Sequence, residues 1–193
     1  NLSKSFNGNR IFSGINLTVK KSTILGVVGN NGSGKTTLLK IVAGIINSDT
    51  GNINLNANIK LDFLGHENML YQNFSISENI DFFSDISGFR ISSELQDEIE
   101  KALGLQNILG KKISELSYGQ RKKASMLRSL ISSPDLLLLD EPFSNLDSES
   151  TDSFISILKT LKKENKSVII SSNRKDVVGL VSDDLLNMDD YNE

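Results

Sequence analysis

The feature that most constrains this chain is a glycine-rich loop between a buried strand and a helix. Residues 23–28 form a short apolar run typical of a buried strand, and apolar positions recur at helical spacing over residues 36–43. Between them, residues 29–36 fit the pattern G-x-x-x-x-G-K-[S/T]. Because phosphate-binding loops lie between such a strand and such a helix, the segment predicts a phosphate site.

Each residue type in this loop has a role in holding phosphate. Glycines let backbone N–H groups converge on phosphate oxygens, and the N-terminus of the following helix favours negative charge. Lys35 would reach the outer phosphates, and the Thr36 hydroxyl would ligate magnesium. The alternative is a glycine-rich turn that binds nothing. The expected nucleotide-binding residues are Gly29, Asn30, Asn31, Gly32, Ser33, Gly34, Lys35, Thr36 and Thr37.

Two carboxylates follow a second apolar strand. Residues 136–139 are four leucines, and Asp140 and Glu141 come directly after them. In a phosphate-loop fold an acid at this point is directed to the magnesium ion, so Asp140 is the expected metal ligand together with Thr36. Glu141 would orient and deprotonate the attacking water as a general base. The alternative is a pair of solvated acids that cap a strand.

The remaining pattern predicts an α/β fold. A helical pattern over residues 154–161 and a buried strand at 168–170 follow the leucine strand, and this alternation is typical of a parallel sheet with crossover helices. Residues 53–55 and 59–64 predict one antiparallel pair of strands, because a turn signal precedes the first and the second alternates. From about residue 77 to 132 the spacing is helical.

Composition excludes several classes of protein. The 193 residues carry a net charge of −3, which provides no broad basic field, so we expect no direct binding of nucleic acid. No apolar run approaches the roughly 18 residues of a membrane-spanning helix, and we expect the chain not to cross a membrane. Zero cysteines exclude disulfides and cysteine-ligated zinc and are compatible with the cytoplasm. Residue 1 is Asn rather than Met, so we expect a short N-terminal piece to be missing.

Three further segments resemble the ABC ATPase family. Residues 116–121 (LSYGQR) are similar to its signature motif, residues 134–142 (PDLLLLDEP) to its Walker B strand, and residues 144–147 (SNLD) to its D-loop. The match is specific in content and in order, and the resemblance covers nearly the whole chain. Ser117 and Gln120 also fit a capping box, so a well-capped helix is a second interpretation that is compatible with the first.

This resemblance implies a P-loop NTPase (RecA-like) core, an antiparallel β piece and an inserted helical lobe. Residues 1–193 would form a single ABC ATPase domain, with approximately 77–132 as the lobe. Two such domains would pair head to tail around two ATP molecules with Mg²⁺, and the signature helix of one would contact the γ-phosphate held by the other. The implied contacts to this second ATP are Ser117, Gly119, Gln120 and Asp147.

Two further positions are similar to family features. Phe6 resembles the aromatic residue that stacks on adenine, although an aromatic near a strand end is also typical of a core residue. Residues 77–80 (SENI) are similar to the stretch that opens the helical lobe. A serine-capped helix start with an acid in its first turn explains the same residues equally well.

Two residues depart from the family pattern. His66 stands where the family has a glutamine that contacts magnesium and the attacking water, and it is either an active-site residue or a partly exposed hinge residue. Gly65 and His66 together are similar to ATPases of the cytochrome c-type haem exporter group. Asn173 stands where the family has its switch histidine. It would either donate to the γ-phosphate without a titratable charge, or cap a helix beside a solvated Arg174.

The resemblance implies the ATP-binding and hydrolysing subunit of an ABC transporter. Its partners would be a separate transmembrane permease subunit and a second ATPase subunit, and it would lie on the cytoplasmic face of the membrane through the permease. One alternative is a soluble ABC ATPase that acts on ribosomes or DNA. Another, suggested by Asn173, is a regulatory module that binds ATP and hardly hydrolyses it.

Overall fold

The computed structural model describes residues 1–65 and 69–192. In these residues strands and helices alternate along most of the chain. The strands are β1 (Leu2–Phe6), β2 (Asn9–Ile15), β3 (Ile24–Val28), β4 (Leu61–Leu64), β5 (Leu136–Asp140), β6 (Ser167–Ser172) and β7 (Asp184–Asn187). The α-helices are α1 (Lys35–Val42), α2 (Ile76–Ser87), α3 (Ser93–Ala102), α4 (Tyr118–Ile131), α5 (Ser148–Lys163) and α6 (Lys175–Gly179). Short 3₁₀ helices span Gln106–Ile108, Ile113–Glu115 and Met188–Tyr191.

Five strands form one parallel sheet in the order β4-β5-β6-β3-β7. The first strand of this sheet in the chain, β3, lies between β6 and β7. From β3 the chain crosses to the edge strand β4, returns through β5 to β6 beside β3, and then crosses to the other edge as β7. In such sheets, ligands bind at the carboxyl ends of the strands near the point where the strand order reverses. The parallel sheet predicted from the sequence is confirmed, and its order places the ends of β3, β5 and β6 side by side.

Alternate residues of the central strands contribute to two apolar clusters, one on each face of the sheet. In β5, Leu136 and Leu138 pack with residues of α1 and β2, whereas Leu137 and Leu139 pack with residues of α4 and α5. Every residue of β3, β5 and β6 is buried. Strands covered on both faces have continuous apolar runs instead of alternation, which is why the three runs were recognisable in the sequence.

The antiparallel piece is not where the sequence predicted it. The predicted pairing of residues 53–55 with 59–64 is wrong: residues 53–55 are not a strand, and β4 pairs in parallel with β5. The antiparallel pair is formed by β1 and β2. The alternation in β4 has another cause, because Asp62 accepts hydrogen bonds from Arg128 at 3.4 Å and Ser132 at 3.0 Å. A period of two indicates one polar face, but it does not identify the neighbouring strand.

Three α-helices in the described part of the chain between β4 and β5 start at capping serines. Ser75 forms a capping box at the start of α2, two residues before the predicted Ser77. Ser92 caps α3, and the capping box of Ser117 with Gln120 at the start of α4 is present as predicted. Each cap satisfies backbone N–H groups that have no partner inside the helix. In the part of the chain that the structure describes, no helix is both long and apolar enough to span a membrane.

Candidate functional site

The phosphate loop joins β3 to α1 and carries a buried lysine and a buried hydroxyl. Nζ of Lys35 donates to the carbonyl oxygens of Gly29 at 2.8 Å and Asn30 at 2.9 Å, so the ammonium group is held against the backbone of the loop. The Ser33 hydroxyl belongs to a residue that is 3 % exposed, and it has no hydrogen-bond partner among the residues that the structure describes. Buried polar atoms without partners are rare, and a ligand oxygen in the loop would satisfy this one. The loop therefore fits a bound phosphate.

Three glycines of the loop have backbone conformations that L residues rarely adopt. The φ angles of Gly29, Gly32 and Gly34 are +151°, +86° and +91°. At Gly34 a Cβ atom would also lie 2.7 Å from the side chain of Ile11. Glycine is required there both for the left-handed backbone and for the close approach to β2. The structure thus provides a reason for the glycines in the motif.

A residue near the end of the chain holds the start of the loop. Oδ1 of Asp189 accepts a hydrogen bond from the backbone N–H of Asn30 at 3.0 Å, and Oδ2 accepts from Nδ2 of Asn30 at 3.1 Å. Asp189 lies in the 3₁₀ helix that follows β7. Since β7 is a neighbour of β3, the sheet brings this carboxylate to a loop 159 residues away in the sequence.

Thr36 and Asp140 meet at the carboxyl end of the sheet. The Thr36 hydroxyl donates to the carboxylate of Asp140, with oxygen separations of 3.0 and 2.9 Å. Asp140 is 1 % exposed and also accepts a hydrogen bond from Ser171 at the end of β6. A hydroxyl and a carboxylate are the hard oxygen ligands that magnesium prefers. These two residues therefore fit the predicted magnesium site.

Magnesium usually takes few protein ligands, because it keeps several waters and binds phosphates of the substrate. Within residues 1–65 and 69–192, no three His, Cys, Asp or Glu side chains form a group that could hold a metal. A site built from Thr36, Asp140, nucleotide and water is consistent with this preference. The donor chemistry fits magnesium better than zinc, which favours nitrogen and sulfur ligands.

Glu141 is held next to the phosphate-loop lysine. Its Oε1 accepts from the backbone N–H of Asn173 at 2.9 Å, and its Oε2 accepts from the Ser172 hydroxyl at 3.1 Å. Nζ of Lys35 lies 4.0 Å from Oε1. A carboxylate this close to a phosphate-binding lysine is well placed to take a proton from water near the outer phosphate. The geometry is consistent with the predicted general base.

Asn173 lies at the phosphate loop and does not cap a helix. Helix α6 begins after Arg174, without a side-chain cap, so the capping interpretation is wrong. Arg174 is exposed but pairs with Asp176 at 3.7 Å. Nδ2 of Asn173 donates to Oδ1 of Asn31 at 3.4 Å, and both residues line a cavity of about 340 Å³. The other departure from the family pattern, His66, lies outside the described residues.

Phe6 is at the surface. It ends β1, and 45 % of it is exposed, so the interpretation as a core residue is wrong. Nζ of Lys4 lies 5.1 Å from the centre of the ring. An exposed ring with a neighbouring cation is available for stacking with a base. The role of Phe6 in binding adenine stays a prediction.

The signature segment forms the exposed N-terminus of α4. Ser117 Oγ accepts from the backbone N–H of Gln120 at 3.3 Å, and Gln120 Oε1 accepts from the backbone N–H of Ser117 at 3.0 Å. At Gly119 a Cβ atom would lie 3.7 Å from the backbone oxygen of Asn145, an ordinary contact. The first turn of α4 therefore lies beside the loop that follows Glu141.

Asp147 caps α5. Its Oδ1 accepts from the backbone N–H of Ser150 at 2.7 Å. Hydrogen bonds from Ser150 hold the pKa of Asp147 below its ordinary value, so the carboxylate is ionised at neutral pH. Contacts from Asp147 or from the signature segment to a second ATP need another copy of the domain, and they stay predictions.

Sequence reasoning missed several residues of the site. Ser171 donates to Asp140, and Ser172 donates to Glu141. Both serines end the buried strand β6, which follows β5 in the chain, and this position could have indicated their place at the site. Lys122, a buried cation on α4, stands between Arg121 and Lys123, and nothing in the sequence distinguished it from these two. Nothing in the sequence marked Asp189.

Comparison with known proteins identifies relatives of this chain. The family model described as ABC transporter matches residues 12–144, more than half of the chain. An uncharacterised ABC transporter ATP-binding protein of Methanocaldococcus jannaschii is 34 % identical over 189 residues, which cover 96 % of this chain and 71 % of that protein. A zinc import ATP-binding protein of Wolbachia pipientis is 35 % identical over 181 residues, 90 % of this chain and 71 % of that protein. A lipoprotein-releasing system ATP-binding protein of Wigglesworthia glossinidia brevipalpis is 30 % identical over 191 residues, with coverages of 88 % and 83 %.

Solved structures show the same fold. The ATP-binding subunit of an ABC transporter superposes with a TM-score of 0.86 at 18 % identity, covering 96 % of this chain and 82 % of its own. A nucleotide-free ATP-binding cassette from an ABC transporter gives 0.78 at 22 % identity, with coverages of 97 % and 85 %. The RNase-L inhibitor gives 0.80 at 23 % identity, but only 35 % of that chain is covered. At these identities the likeness concerns the fold alone, and it confirms the predicted P-loop class.

The family match and the site agree with one another. The matched residues contain the phosphate loop, the signature helix and the acidic end of β5. The structure brings Lys35, Thr36, Asp140 and Glu141 together, as ATP hydrolysis requires. This chain belongs to the ABC transporter family, as one of its ATP-binding proteins, and is an ATPase.

Proposed function

We propose that this chain is the ATPase subunit of a transporter, in which ATP with Mg²⁺ closes a dimer and so moves a substrate through a separate membrane permease. The observation that carries the proposal is the meeting of Lys35, Thr36, Asp140 and Glu141 at one end of the sheet. Lys35 would bind the outer phosphates, and Thr36 and Asp140 would hold magnesium, which neutralises charge on the phosphates. Glu141 would accept the proton of the attacking water.

Binding of ATP would rearrange the bonds of Lys35. It donates to carbonyl oxygens of the loop, and phosphate oxygens would replace these acceptors because hydrogen bonds between charged groups are stronger. Both oxygens of Glu141 accept hydrogen bonds from the end of β6, at Ser172 and Asn173. Each carboxylate oxygen has a further lone pair, so Glu141 would accept a hydrogen bond from the attacking water while these two bonds hold it in place.

The signature helix supports a composite site. The N-terminal turn of α4 is exposed at Ser117, and a helix N-terminus attracts phosphate through its free N–H groups and its dipole. We assign Ser117, Gly119, Gln120 and Asp147 to the ATP of a second ATPase subunit. ATP would then bind the closed dimer more tightly than the open one, and this difference in affinity is what drives closure.

An aromatic cluster supports a protein partner. Tyr71, Phe74, Phe82 and Phe83 pack around the start of α2, with ring centres 4.8 to 6.2 Å apart. Tyr71 is 48 % exposed and Phe74 39 %. Exposed apolar patches often bind another protein. The relatives are named as ATP-binding proteins of import and release systems, so the partner we propose for this cluster is the permease.

This function assigns roles to the parts of the chain. Residues 1–193 would form a single ABC ATPase domain, and residues 77–132, its helical lobe, would transmit closure to the permease. The chain would lie on the cytoplasmic face of the membrane through that partner, without direct contact to nucleic acid. Relatives are named for different cargoes, zinc and lipoproteins among them, so the proposal assigns no cargo.

The catalytic assignment is tested with Glu141→Gln. We expect its turnover to fall at least about 100-fold, the usual effect of losing a general base. ATP affinity, measured by titration, should stay within about threefold because the phosphate loop is intact. The matched control is Glu149→Gln, an exposed acid in the first turn of α5, which should behave like the parent. Equal hydrolysis by the parent and Glu141→Gln would remove Glu141 from the mechanism.

The partner is tested by a tagged pull-down from gently solubilised membranes. Recovery of a membrane-spanning protein in stoichiometric amount supports the permease assignment. Recovery of ribosomes or DNA-bound proteins without a membrane subunit would overturn it and favour a soluble ABC ATPase. If the chain binds ATP but hardly hydrolyses it, whether it is recovered with a membrane subunit or with ribosomes or DNA-bound proteins, it would be a regulatory module.

A further inference from the structure

Lys122 is a buried lysine that the proposed chemistry does not use. It lies on α4 and is 4 % exposed. Its Nζ donates to the backbone carbonyl oxygen of Glu141 and, at 2.6 Å, to the Ser144 hydroxyl. A cation removed from water is tolerated only where other groups compensate for the lost hydration. The compensating groups here belong to the turn that carries the general base.

We propose that Lys122 is a positioning residue that holds the backbone of Glu141 and thereby aims its carboxylate at the attacking water. The inference rests on the proposed role of Glu141 as the general base. Lys122 touches neither phosphate loop nor metal ligand in the contacts described above. It would act only through Glu141, by fixing the direction in which that side chain leaves the main chain.

The backbone of Glu141 needs such support. Its φ angle is +51°, in the left-handed region that is unfavourable for a residue with a side chain. Conformations of this kind persist only where the surroundings impose them. Three donors converge on the Glu141 carbonyl oxygen: the N–H of Ser144 at 3.2 Å, its hydroxyl at 2.9 Å, and Lys122. The turn after β5 is therefore tied to α4.

The electrostatic environment keeps this lysine charged at neutral pH. Burial lowers the pKa of Lys122 to about 8, and the charges of Glu141 and Asp140 oppose that change by favouring the protonated form. A protonated amine has three N–H donors and no acceptor, which suits a site of two oxygen acceptors. Its charge also attracts the carboxylates of the same turn.

The position of Lys122 links two functions of α4. Ser117 caps this helix, and Lys122 lies just beyond its first turn. The N-terminus of α4 is proposed to bind ATP held by the second subunit, while Lys122 holds the Glu141 that serves the ATP of its own subunit. A shift of α4 on engaging the second ATP would therefore reach Glu141 through Lys122.

The test compares Lys122→Met with the parent. Methionine fills similar space without donors, and the Glu141 carbonyl keeps both bonds from Ser144, so the fold should be retained. We expect turnover to fall about 100-fold, as for a misplaced catalytic group, with the KM for ATP and the melting temperature nearly unchanged. Lys122→Gln, which keeps one N–H donor to the carbonyl, should recover part of the loss. Lys159→Met, an exposed lysine on α5, is the matched control and should equal the parent.

Two outcomes would overturn the proposal. One is a Lys122→Met turnover within twofold of the parent. The other is a parallel loss of turnover, ATP affinity and melting temperature without recovery in Lys122→Gln, which would make Lys122 a structural residue only. Glu141→Gln is measured in the same series. If Glu141→Gln hydrolyses ATP like the parent, Glu141 is not the general base. A normal turnover in Lys122→Met alone would instead contradict only the positioning role of Lys122.

Discussion

At residue 173, the main chain and the side chain have different roles. The backbone N–H of Asn173 binds Glu141, whereas its amide side chain reaches Asn31 of the phosphate loop. A substitution at this position changes the group beside the phosphate loop and leaves the N–H in place. Because an amide has no ionisable group, the side chain of residue 173 does not titrate near neutral pH.

Asn173→His tests this directly. An imidazole has an ordinary pKa of about 6.5, so the variant should gain an inflection in turnover between about pH 6 and 7. The profile is measured as kcat against pH, because KM reports other groups as well. Asn173→Gln keeps an amide and should show the profile of the parent. Identical profiles for the parent and Asn173→His would place the side chain of residue 173 outside the reacting complex.

The starts of α2, α3 and α4 are specified locally by serines. The side chain of Ser92 accepts from the backbone N–H of Leu95 at 3.3 Å at the start of α3. This helix packs on α4 and α5, and its cap has no described contact with the phosphate loop. The cap should therefore affect folding without affecting catalysis.

We expect Ser92→Ala to reduce the free energy of unfolding by about 1 kcal/mol, a typical effect of losing a serine cap. Urea unfolding monitored by circular dichroism measures this change, and the KM for ATP should stay constant. Ser93→Ala, one residue inside the helix, is the matched control and should change stability little. A loss of hydrolysis in Ser92→Ala at unchanged stability would show that the start of α3 has a functional role that the structure does not indicate.

At the scale of the whole molecule, the composite site predicts a dimer that depends on ATP. With Mg²⁺ and ATP, the Glu141→Gln variant should become dimeric, because nucleotide stays bound between the two subunits. Adding Gly119→Ala should abolish that dimer, since a methyl group at the N-terminus of α4 would meet the second ATP. The new Cβ would lie 3.7 Å from the backbone oxygen of Asn145, an ordinary contact, so the monomer should fold normally.

Size-exclusion chromatography with light scattering measures this prediction. Gly110→Ala is the matched control and should leave the dimer intact, because a Cβ at Gly110 would meet no described heavy atom within 4 Å beyond its chain neighbours. A Glu141→Gln, Gly119→Ala double variant that dimerises as fully as Glu141→Gln alone would contradict the role of the signature helix.

The sequence by itself determined the features that depend on local order. Residues 29–36 formed the phosphate loop as predicted, because a buried strand and a helix flank it along the chain. Thr36 and Asp140 were each marked by a local pattern, the end of the loop and the end of an apolar strand, although their meeting depends on the sheet. The cap of α4 at Ser117 depended on residues three apart, so its signal was also local.

Only the tertiary structure decided which distant groups meet. The alternation at residues 59–64 did not reveal that β4 pairs with β5, because a strand's period is the same for any neighbour. Asp189 reaches the phosphate loop only because β7 lies next to β3, and Lys122 reaches Glu141 only because α4 packs against the turn after β5. Such contacts depend on the order of strands and the packing of helices, which short-range sequence patterns do not encode.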